Sequence, residues 1–294
     1  MAEKGHYRTK PDIAIPLLID HSSRCRRNPV ILRVHNDVVL ARPNRHSVLR
    51  VVAACLVAAS LIACATAGPV DEVSDYSVLL IGNSHSSRAG LPRMLEALLE
   101  AGGANTAADV KALGHWAFLA ERLEDNNTRK ALDSRNWTHV VLQAQKYSTT
   151  GKYFYPTDAA EEWIRRIRDQ GAKPILFPEW ARRDHPEEAS RIHRLHLGIA
   201  SRELACVAPV GLAWEIVRDA HPDIILHDRD GNHSNRRGAL LTAYVLYGAI
   251  TGESPAGLPY LKIRGVLEET QTVLRAAASM TTGIIPACTP EATP

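Results

Sequence analysis

The sequence predicts an α/β protein, a three-layer α/β/α sandwich around a mostly parallel central sheet. From Tyr76 onward, short apolar runs of strand length alternate with longer segments of helical periodicity. Strands that alternate with helices of this length pair in parallel, because each crossover carries the chain back along the sheet. With 45% hydrophobic and 23% charged residues, the 294-residue chain also has an ordinary globular composition and is long enough for one sizeable core.

The first half of the predicted domain contains three strands and two helices. Ser77–Ile81 is typical of a buried strand, and Pro92–Ala101 of a helix with proline in its first turn. Val110–Leu113 is a weaker second strand, and Ala117–Leu123 is helical. Thr138–Ala144 is a strong third strand.

The second half continues the alternation. Its strands are Lys173–Phe177 and Cys206–Val210. Its helical segments are, in chain order, Ala159–Gln170, His185–Leu204, Leu212–Asp219 and Arg236–Thr251. We therefore expect one domain over residues 74–281, followed by a flexible Pro- and Thr-rich tail over 282–294.

An apolar run preceded by arginines lies before this domain. The run, Val51–Ala63, is shorter than the roughly 20 residues that span a bilayer, so residues 46–67 are typical of a secretory signal peptide. Leu61-Ile62-Ala63-Cys64 resembles a lipobox, in which Cys64 receives lipid, whereas Ala65-Thr66-Ala67 would release a soluble product. We expect an exported protein, either a periplasmic or cell-surface lipoprotein attached to the membrane through Cys64, or a secreted one.

Charge is concentrated at the N-terminus. Residues 1–45 carry scattered Pro, Arg and His with little periodicity, and they are either not translated, because the true start lies further along, or a disordered cytoplasmic arm. Many basic residues of the chain, whose net charge is +3, lie before residue 51, so the domain itself is close to charge-balanced. Only 5% of the residues are aromatic. Both observations argue against a nucleic-acid partner.

Metal and redox chemistry have little support. The five cysteines include no C-x-x-C pair, and Cys206 and Cys288 either form a disulfide in an oxidising compartment or remain separate thiols. His193 and His196 are spaced i, i+3 and could share a metal, but no carboxylate pattern accompanies them, so a solvated helix face is favoured. No metal or organic cofactor is expected.

A serine follows the first strand directly, in Gly82-Asn83-Ser84. A serine on a sharp strand-to-helix turn presents its hydroxyl at the carboxyl edge of the sheet, near free backbone N–H groups that favour a developing negative charge. Gly82 would relieve the crowding of such a turn. Ser84 is therefore predicted as a nucleophile; the alternative is an ordinary turn in which Ser84 caps the helix.

An aspartate and a histidine follow a late apolar run in Asp230-Gly231-Asn232-His233. Asp230 can accept the Nδ1 proton of His233, which leaves Nε2 free to take a proton from a serine hydroxyl. The alternative is a solvated Asp-Gly turn before a helix capped by Ser234 or Asn235. A calcium loop fits less well, because the closing glutamate is missing.

Together these segments resemble a known family. Gly82-Asn83-Ser84 resembles the first block of the SGNH (GDSL-like) hydrolases, with Asn83 where many members have aspartate, and Asp230-Gly231-Asn232-His233 is similar to their last block, D-x-x-H. The resemblance covers roughly Asp75–Pro259. The central sheet is then expected to be flavodoxin-like, with the site beyond the carboxyl ends of its strands.

The resemblance also implies an oxyanion hole. In this family the donors are the backbone of the serine, a glycine after the second strand and an asparagine after the third. Ser84 and Gly114 match the first two, but the third block lacks asparagine, and Gln143 or Gln145 is the candidate donor. Loss of one such donor costs about 10²–10³ in rate, so this departure bears on the level of activity more than on the class of reaction.

Three further residues lie near the predicted site. His85 adjoins Ser84 and is predicted as pocket wall or helix cap. Trp180 follows the fourth strand and either lines the pocket or covers the sheet. Arg183 could contact an anionic substrate or lie in an exposed loop.

The predicted function is that of an exported serine esterase or acyl hydrolase. The expected substrates are small esters or O-acetylated carbohydrate, cleaved by an acyl-enzyme route with Ser84, His233 and Asp230. Two alternatives stay open: an O-acyltransferase of the same fold, and a non-catalytic exported binding protein.

Overall fold

Five parallel strands form the centre of the fold. The computed structural model describes residues 74–114 and 116–282, and the order of its sheet is β2-β1-β3-β4-β5. The strands are β1 (Tyr76–Ile81), β2 (Ala108–Leu113), β3 (His139–Leu142), β4 (Lys173–Leu176) and β5 (Cys206–Val207). Each neighbouring pair is parallel. This is the flavodoxin-like order, so the predicted fold class is confirmed.

Helices cover both faces of the sheet. They are α1 (Ser84–Ser87), α2 (Leu91–Ala101), α3 (Leu119–Glu124), α4 (Asn126–Leu132), α5 (Asp158–Asp169), α6 (Glu187–Ala200), α7 (Val210–Ala220), α8 (Arg236–Thr251) and α9 (Glu268–Thr282), with a 3₁₀ turn at Pro255–Gly257. The sequence did not predict α4 or α9. None of the helices in the described part of the chain has the length and apolar character needed to span a bilayer.

Alternate side chains of each strand enter two separate cores, because successive residues of a strand point to opposite faces. Val78 and Leu80 pack with α2, α7, α8 and α9. Leu79 and Ile81 pack on the other face with residues of α3 to α6, including Trp163. Burial on both faces explains the unbroken apolar run of β1, which is typical of parallel sheets.

Helix α8 is buried along almost its whole length, between α2, α7 and α9. Its first turn lies against α7 through Gly238, where an added Cβ would lie 2.5 Å from the carbonyl oxygen of Leu226 and 2.6 Å from the ring of Trp214. Any larger residue at this position would push the start of α8 outward. The contact matters because α8 begins directly after the segment that carries Asp230 and His233.

Several predictions lie outside the described residues. These are the N-terminal segment 1–45, the signal peptide 46–67 with its possible lipidation at Cys64, and the tail beyond Thr282. Cys206 is disulfide-bonded. Its possible pairing with Cys288 also falls outside the described part of the chain.

The carboxyl ends of the strands meet at one edge of the sheet. Ile81 is in register with Leu113 of β2 and with Leu142 of β3, and Leu142 is in register with Leu176 of β4. Residues that directly follow these strands therefore come from distant parts of the chain to the same place. Ligands of doubly wound folds bind at this edge.

Candidate active site

The turn after β1 holds Ser84 at the first position of α1. Asn83 caps this helix, and its Oδ1 accepts the backbone N–H of His85 at 2.9 Å. A Cβ on Gly82 would lie 2.5 Å from Ser86 Oγ and 2.6 Å from Gln143 Oε1, closer than any relaxed contact. Glycine is thus required at residue 82 for the chain to pass between these side chains.

Ser84, His233 and Asp230 lie in direct contact. The distance from Ser84 Oγ to His233 Nε2 is 2.8 Å, and that from His233 Nδ1 to Asp230 Oδ2 is 2.5 Å. Asp230 Oδ1 also accepts the backbone N–H groups of Asn232 and His233, at 3.0 and 2.9 Å. The hydrogen bond from His233 and these two backbone bonds hold the pKa of Asp230 well below its usual range. An ionised Asp230 accepts from Nδ1, which leaves the Nε2 lone pair facing the serine hydroxyl.

The loop after β4 holds the segment Asp230–His233 in place. The indole Nε1 of Trp180 donates to the carbonyl oxygen of Asn232 at 2.9 Å. The backbone N–H of Arg183 donates to the carbonyl oxygen of Gly231, also at 2.9 Å. Gly231 has a φ of +69°, which favours glycine. The sequence did not assign this supporting role to the loop after β4.

Trp180 is only 2% exposed and stacks on Trp214 of α7, with ring centroids 4.2 Å apart. The sequence predicted that Trp180 either lines a pocket or covers the sheet; in the structure it packs in the core beneath the site.

Two residues after His233, Asn235 caps α8 by accepting the N–H groups of Arg237 and Gly238. The sequence analysis treated a helix capped by Ser234 or Asn235 as an alternative to a catalytic loop. The structure has both, because Asn235 caps α8 and Asp230 contacts His233.

Arg122 is a further site residue that the sequence analysis missed. It lies on α3, is 4% exposed, and its Nη2 donates to the carbonyl oxygens of Gly82 at 2.6 Å and of Leu113 at 2.8 Å. Burial lowers the pKa of its guanidinium. The side chain therefore connects the peptide group before Asn83 with the peptide group before Gly114. Arg122 stands among acidic residues in the sequence, with Glu121 before it and Asp125 after it, so it resembles an ordinary charged residue of a helix surface and sequence reasoning had no signal for its role.

The side-chain amides of the two glutamines after β3 make hydrogen bonds within the protein. Gln143 is fully buried; its Oε1 accepts the N–H of Asn83 at 2.8 Å and its Nε2 donates to Glu179 at 2.7 Å. Gln145 Nε2 donates to the carbonyl oxygens of Lys146 and Pro156, both at 3.0 Å, which uses both of its amide hydrogens.

These bonds leave no amide hydrogen on Gln145 for an oxyanion and one on Gln143, so the expected third donor stays a prediction for Gln143 alone. Ala144, between them, has a φ of +74°. This left-handed residue turns the chain, so that one amide lies beneath the serine turn and the other against the backbone of the following loop. Gly114 lies directly after β2, and an added Cβ there would make ordinary contact with Ser87 Oγ at 3.5 Å.

Two cavities lie at this end of the fold. One of about 540 Å³ is lined by Gly114, Trp116 and Arg122 among others, and the Trp116 side chain is 76% exposed. The other, of about 830 Å³, is lined on its polar side by Arg88, Arg93, Asp228, Arg236 and Lys262. The larger cleft lies next to residues that follow Ser84 and to residues on either side of the Asp230–His233 segment. The smaller cleft lies at the end of β2.

No metal site accompanies them in the described residues, where no group of three or more His, Cys, Asp or Glu side chains could hold an ion. His196, which the sequence considered as a ligand with His193, is buried on α6. Its Nδ1 lies 2.8 Å from the carbonyl oxygen of Ile192, and burial lowers its pKa to about 4.

Comparison with solved structures finds the same architecture elsewhere. A DUF4886 family protein from Bacteroides uniformis has a TM-score of 0.56 and 18% identity, covering 70% of this chain and 94% of that chain. A putative SGNH hydrolase from Slackia heliotrinireducens has a TM-score of 0.49 and 24% identity, and the match covers 58% of this chain and 97% of that chain. A psychrotrophic esterase from Pseudoalteromonas has a TM-score of 0.45 and 13% identity, and the match covers 60% of this chain and 98% of that chain.

No family model and no curated protein sequence matches the chain. At 18% identity the likeness to the Bacteroides structure shows a shared fold. The three-layer α/β/α architecture that the sequence predicted is confirmed at that level.

Proposed function

We propose that the chain is a serine ester hydrolase of the SGNH type that works through an acyl-enzyme intermediate. The observation that carries the proposal is the contact of Ser84 Oγ with His233 Nε2 at 2.8 Å, in a histidine whose Nδ1 is held by Asp230. A hydroxyl, an imidazole and an orienting carboxylate in this order form an activated nucleophile.

In the first half-reaction Ser84 Oγ attacks the ester carbonyl while its proton moves to His233 Nε2. His233 then donates that proton to the departing alcohol oxygen, which leaves the acyl group on Ser84. Water enters, gives a proton to the same nitrogen and attacks the acyl carbon; Ser84 recovers its proton when the acid leaves. Asp230 stays ionised throughout and stabilises the imidazolium, in keeping with its depressed pKa.

The developing oxyanion is stabilised by the backbone N–H groups of Ser84 and Gly114. Ser84 N–H lies in the first turn of α1, where helix N–H groups have no intrahelical partner. Gln145 has both amide hydrogens engaged, whereas Gln143 keeps one hydrogen beside the one it donates to Glu179, so we assign only the two backbone donors. If the remaining hydrogen of Gln143 does not reach the oxyanion, the loss of the third donor lowers the rate by about 10²–10³ without changing the chemistry.

The substrate class that we propose is a small ester, or an O-acetyl group on carbohydrate. The cleft beside Gly114 supports this choice, because its volume of about 540 Å³ suits a small ligand and Trp116 presents an exposed indole. An aromatic ring offers an apolar face on which a sugar ring can pack. Export, as a lipoprotein through Cys64 or as a secreted protein, would bring the enzyme to acetylated polysaccharide outside the cytoplasm.

The test compares the parent protein with Ser84→Ala on p-nitrophenyl acetate. Ser87→Ala is the matched control, since it removes a hydroxyl from the same short helix. We expect turnover by the parent and by Ser87→Ala only, and a fluorophosphonate probe that modifies Ser84. Equal turnover by the parent and Ser84→Ala would refute the nucleophile. Transfer of acetyl to an added sugar in place of water would favour the acyltransferase, and neither turnover nor labelling would favour a binding protein.

A further inference from the structure

His85 lies between the catalytic imidazole and the core. It is the second residue of α1 and is 8% exposed. Its ring stacks on that of His233, with centroids 5.0 Å apart and an interplanar angle of 20°. The ring also lies against that of Trp180, with centroids 5.0 Å apart and an interplanar angle of 54°. The mechanism above does not use this side chain.

Both ring nitrogens of His85 face hydrogen-bond acceptors. Nδ1 lies 3.1 Å from Asn83 Oδ1 and 3.7 Å from Glu179 Oε2, and Nε2 lies 3.3 Å from the carbonyl oxygen of Asn232. The Asn83 atom is an oxygen, because it also accepts the backbone N–H of His85. A neutral imidazole has one donor and one acceptor, so one of its nitrogens would face an acceptor without a proton between them.

Glu179 supplies the opposite charge. Its Oε2 accepts from Gln143 Nε2 at 2.7 Å, and it is hydrogen-bonded to the side chain of Tyr147. Burial, with the charge of Glu179 beside it, strongly raises the pKa of Tyr147, so its hydroxyl remains a donor. Donors thus surround the carboxylate, as a buried charge requires. On the side of His233, the nearby charge is the carboxylate of Asp230, which is bonded to His233 Nδ1.

We infer that His85 is a positioning residue, protonated on both ring nitrogens, that connects the serine turn to the loop of the catalytic base. One end of its ring binds Asn83, which precedes Ser84, and the other end binds the carbonyl of Asn232, which precedes His233. Trp180 donates to that same carbonyl at 2.9 Å. Two donors, one from helix α1 and one from the loop after β4, therefore hold the peptide next to His233, and a cation makes the longer of the two bonds stronger.

The consequence for catalysis rests on the proposed function. A displacement of about 1 Å between nucleophile and base can cost about 10²-fold in rate. His85→Phe keeps an aromatic ring for stacking and removes both donors, so we expect kcat on p-nitrophenyl acetate to fall by about 10²-fold with little change in KM. His85→Gln keeps a side-chain donor and should recover part of that loss. The matched control is His139→Phe, the same change in a buried histidine at the amino end of β3.

The protonation of His85 is tested without any substrate. Long-range ¹H–¹⁵N spectra of the full chain labelled with ¹⁵N-histidine report whether each ring nitrogen carries a proton, and His85→Phe assigns the signal. At pH 7 we expect two protonated nitrogens in His85 and an unprotonated Nε2 in His233. A neutral tautomer of His85 would overturn the inference, as would a folded His85→Phe with the kcat of the parent. If the parent cleaves no ester, the proposed function fails, but the spectra still decide the state of His85.

Discussion

Arg122 Nη2 donates to the carbonyl oxygen of Leu113 at 2.8 Å, just before the glycine expected to stabilise the oxyanion. A trans peptide group is planar and directs its N–H opposite to its C=O, and the described residues contain no cis peptide. The bond to Leu113 therefore sets the direction of the Gly114 N–H, away from Arg122. The same nitrogen holds the carbonyl of Gly82, so one buried cation aligns both peptides that flank the site.

We expect Arg122→Lys to lower kcat by about 10²–10³-fold, the cost of losing one oxyanion donor. A lysine ammonium does not reproduce the planar guanidinium, whose Nη2 donates to both carbonyls while Nη1 donates to Thr128 Oγ1. The measurement is kcat on p-nitrophenyl acetate, with urea unfolding to confirm that the variant is folded. Arg129→Lys is the control, because Arg129 also donates to a backbone carbonyl but lies on α4. Full activity in folded Arg122→Lys would contradict the role of Arg122.

Asp230→Asn should lower kcat by about 10⁴-fold, because an amide does not stabilise the imidazolium or select the tautomer. The folded-state pKa of Asp230 is depressed, so its ionised form stabilises the fold above the pKa of an unfolded aspartate, about 3.9. That contribution is lost as pH falls through the folded-state value. Urea midpoints of parent and variant should therefore differ most near neutral pH and converge in acid. If the difference between the two urea midpoints grew as the pH fell, the role of ionised Asp230 in stability would be contradicted.

Gly82→Ala should destabilise the protein and reduce its activity. The new Cβ would lie 2.5 Å from Ser86 Oγ and 2.6 Å from Gln143 Oε1, and overpacking of this kind costs about 1–3 kcal/mol. Displacement of the turn would also move Ser84. Urea unfolding and kcat measure the two effects. Gly257→Ala provides the comparison, since nothing lies within 4 Å of its added Cβ, and equal behaviour of the two variants would count against the crowding.

Trp116→Ala should raise KM for acetylated xylo-oligosaccharide several-fold and leave p-nitrophenyl acetate hydrolysis nearly unchanged, because only the sugar substrate would pack on the indole. Phe154→Ala is the control: its side chain is 99% exposed and does not line the cleft beside Gly114. The experiment compares kcat and KM on both substrates. An equal effect on both would show that the indole does not bind carbohydrate.

Cys64→Ala should move the protein from the membrane fraction to the soluble exported fraction if Cys64 is lipidated. The reason is that a covalent lipid is the anchor expected from the lipobox, and the apolar run is too short to span the bilayer. Fractionation of cells that express the full chain measures the distribution. Unchanged membrane association would reject the lipidation, and a soluble parent protein would favour cleavage after Ala67.

Much of the fold followed from local patterns. The buried runs of β1 and β3 and the full extent of α8 were predicted because parallel strands covered on both faces are continuously apolar, and because α8 is bounded by a polar loop and a glycine. Helix α9 was missed, since its buried face is made largely of small residues such as Ala277 and Ala278. Small side chains give weak periodicity, and their burial depends on the neighbour that covers them.

The sequence by itself determined which residue types could carry the chemistry, because the order Gly-Asn-Ser after a strand and Asp-x-x-His before a helix are local arrangements. It could not determine what surrounds them. The amides of Gln143 and Gln145, the bonds of Arg122 and the stacking of His85 all depend on segments that are far apart in the chain and meet only where parallel strands end at one edge of the sheet. Hydrogen-bond partners across such distances are chosen by packing, so only the tertiary structure decided them.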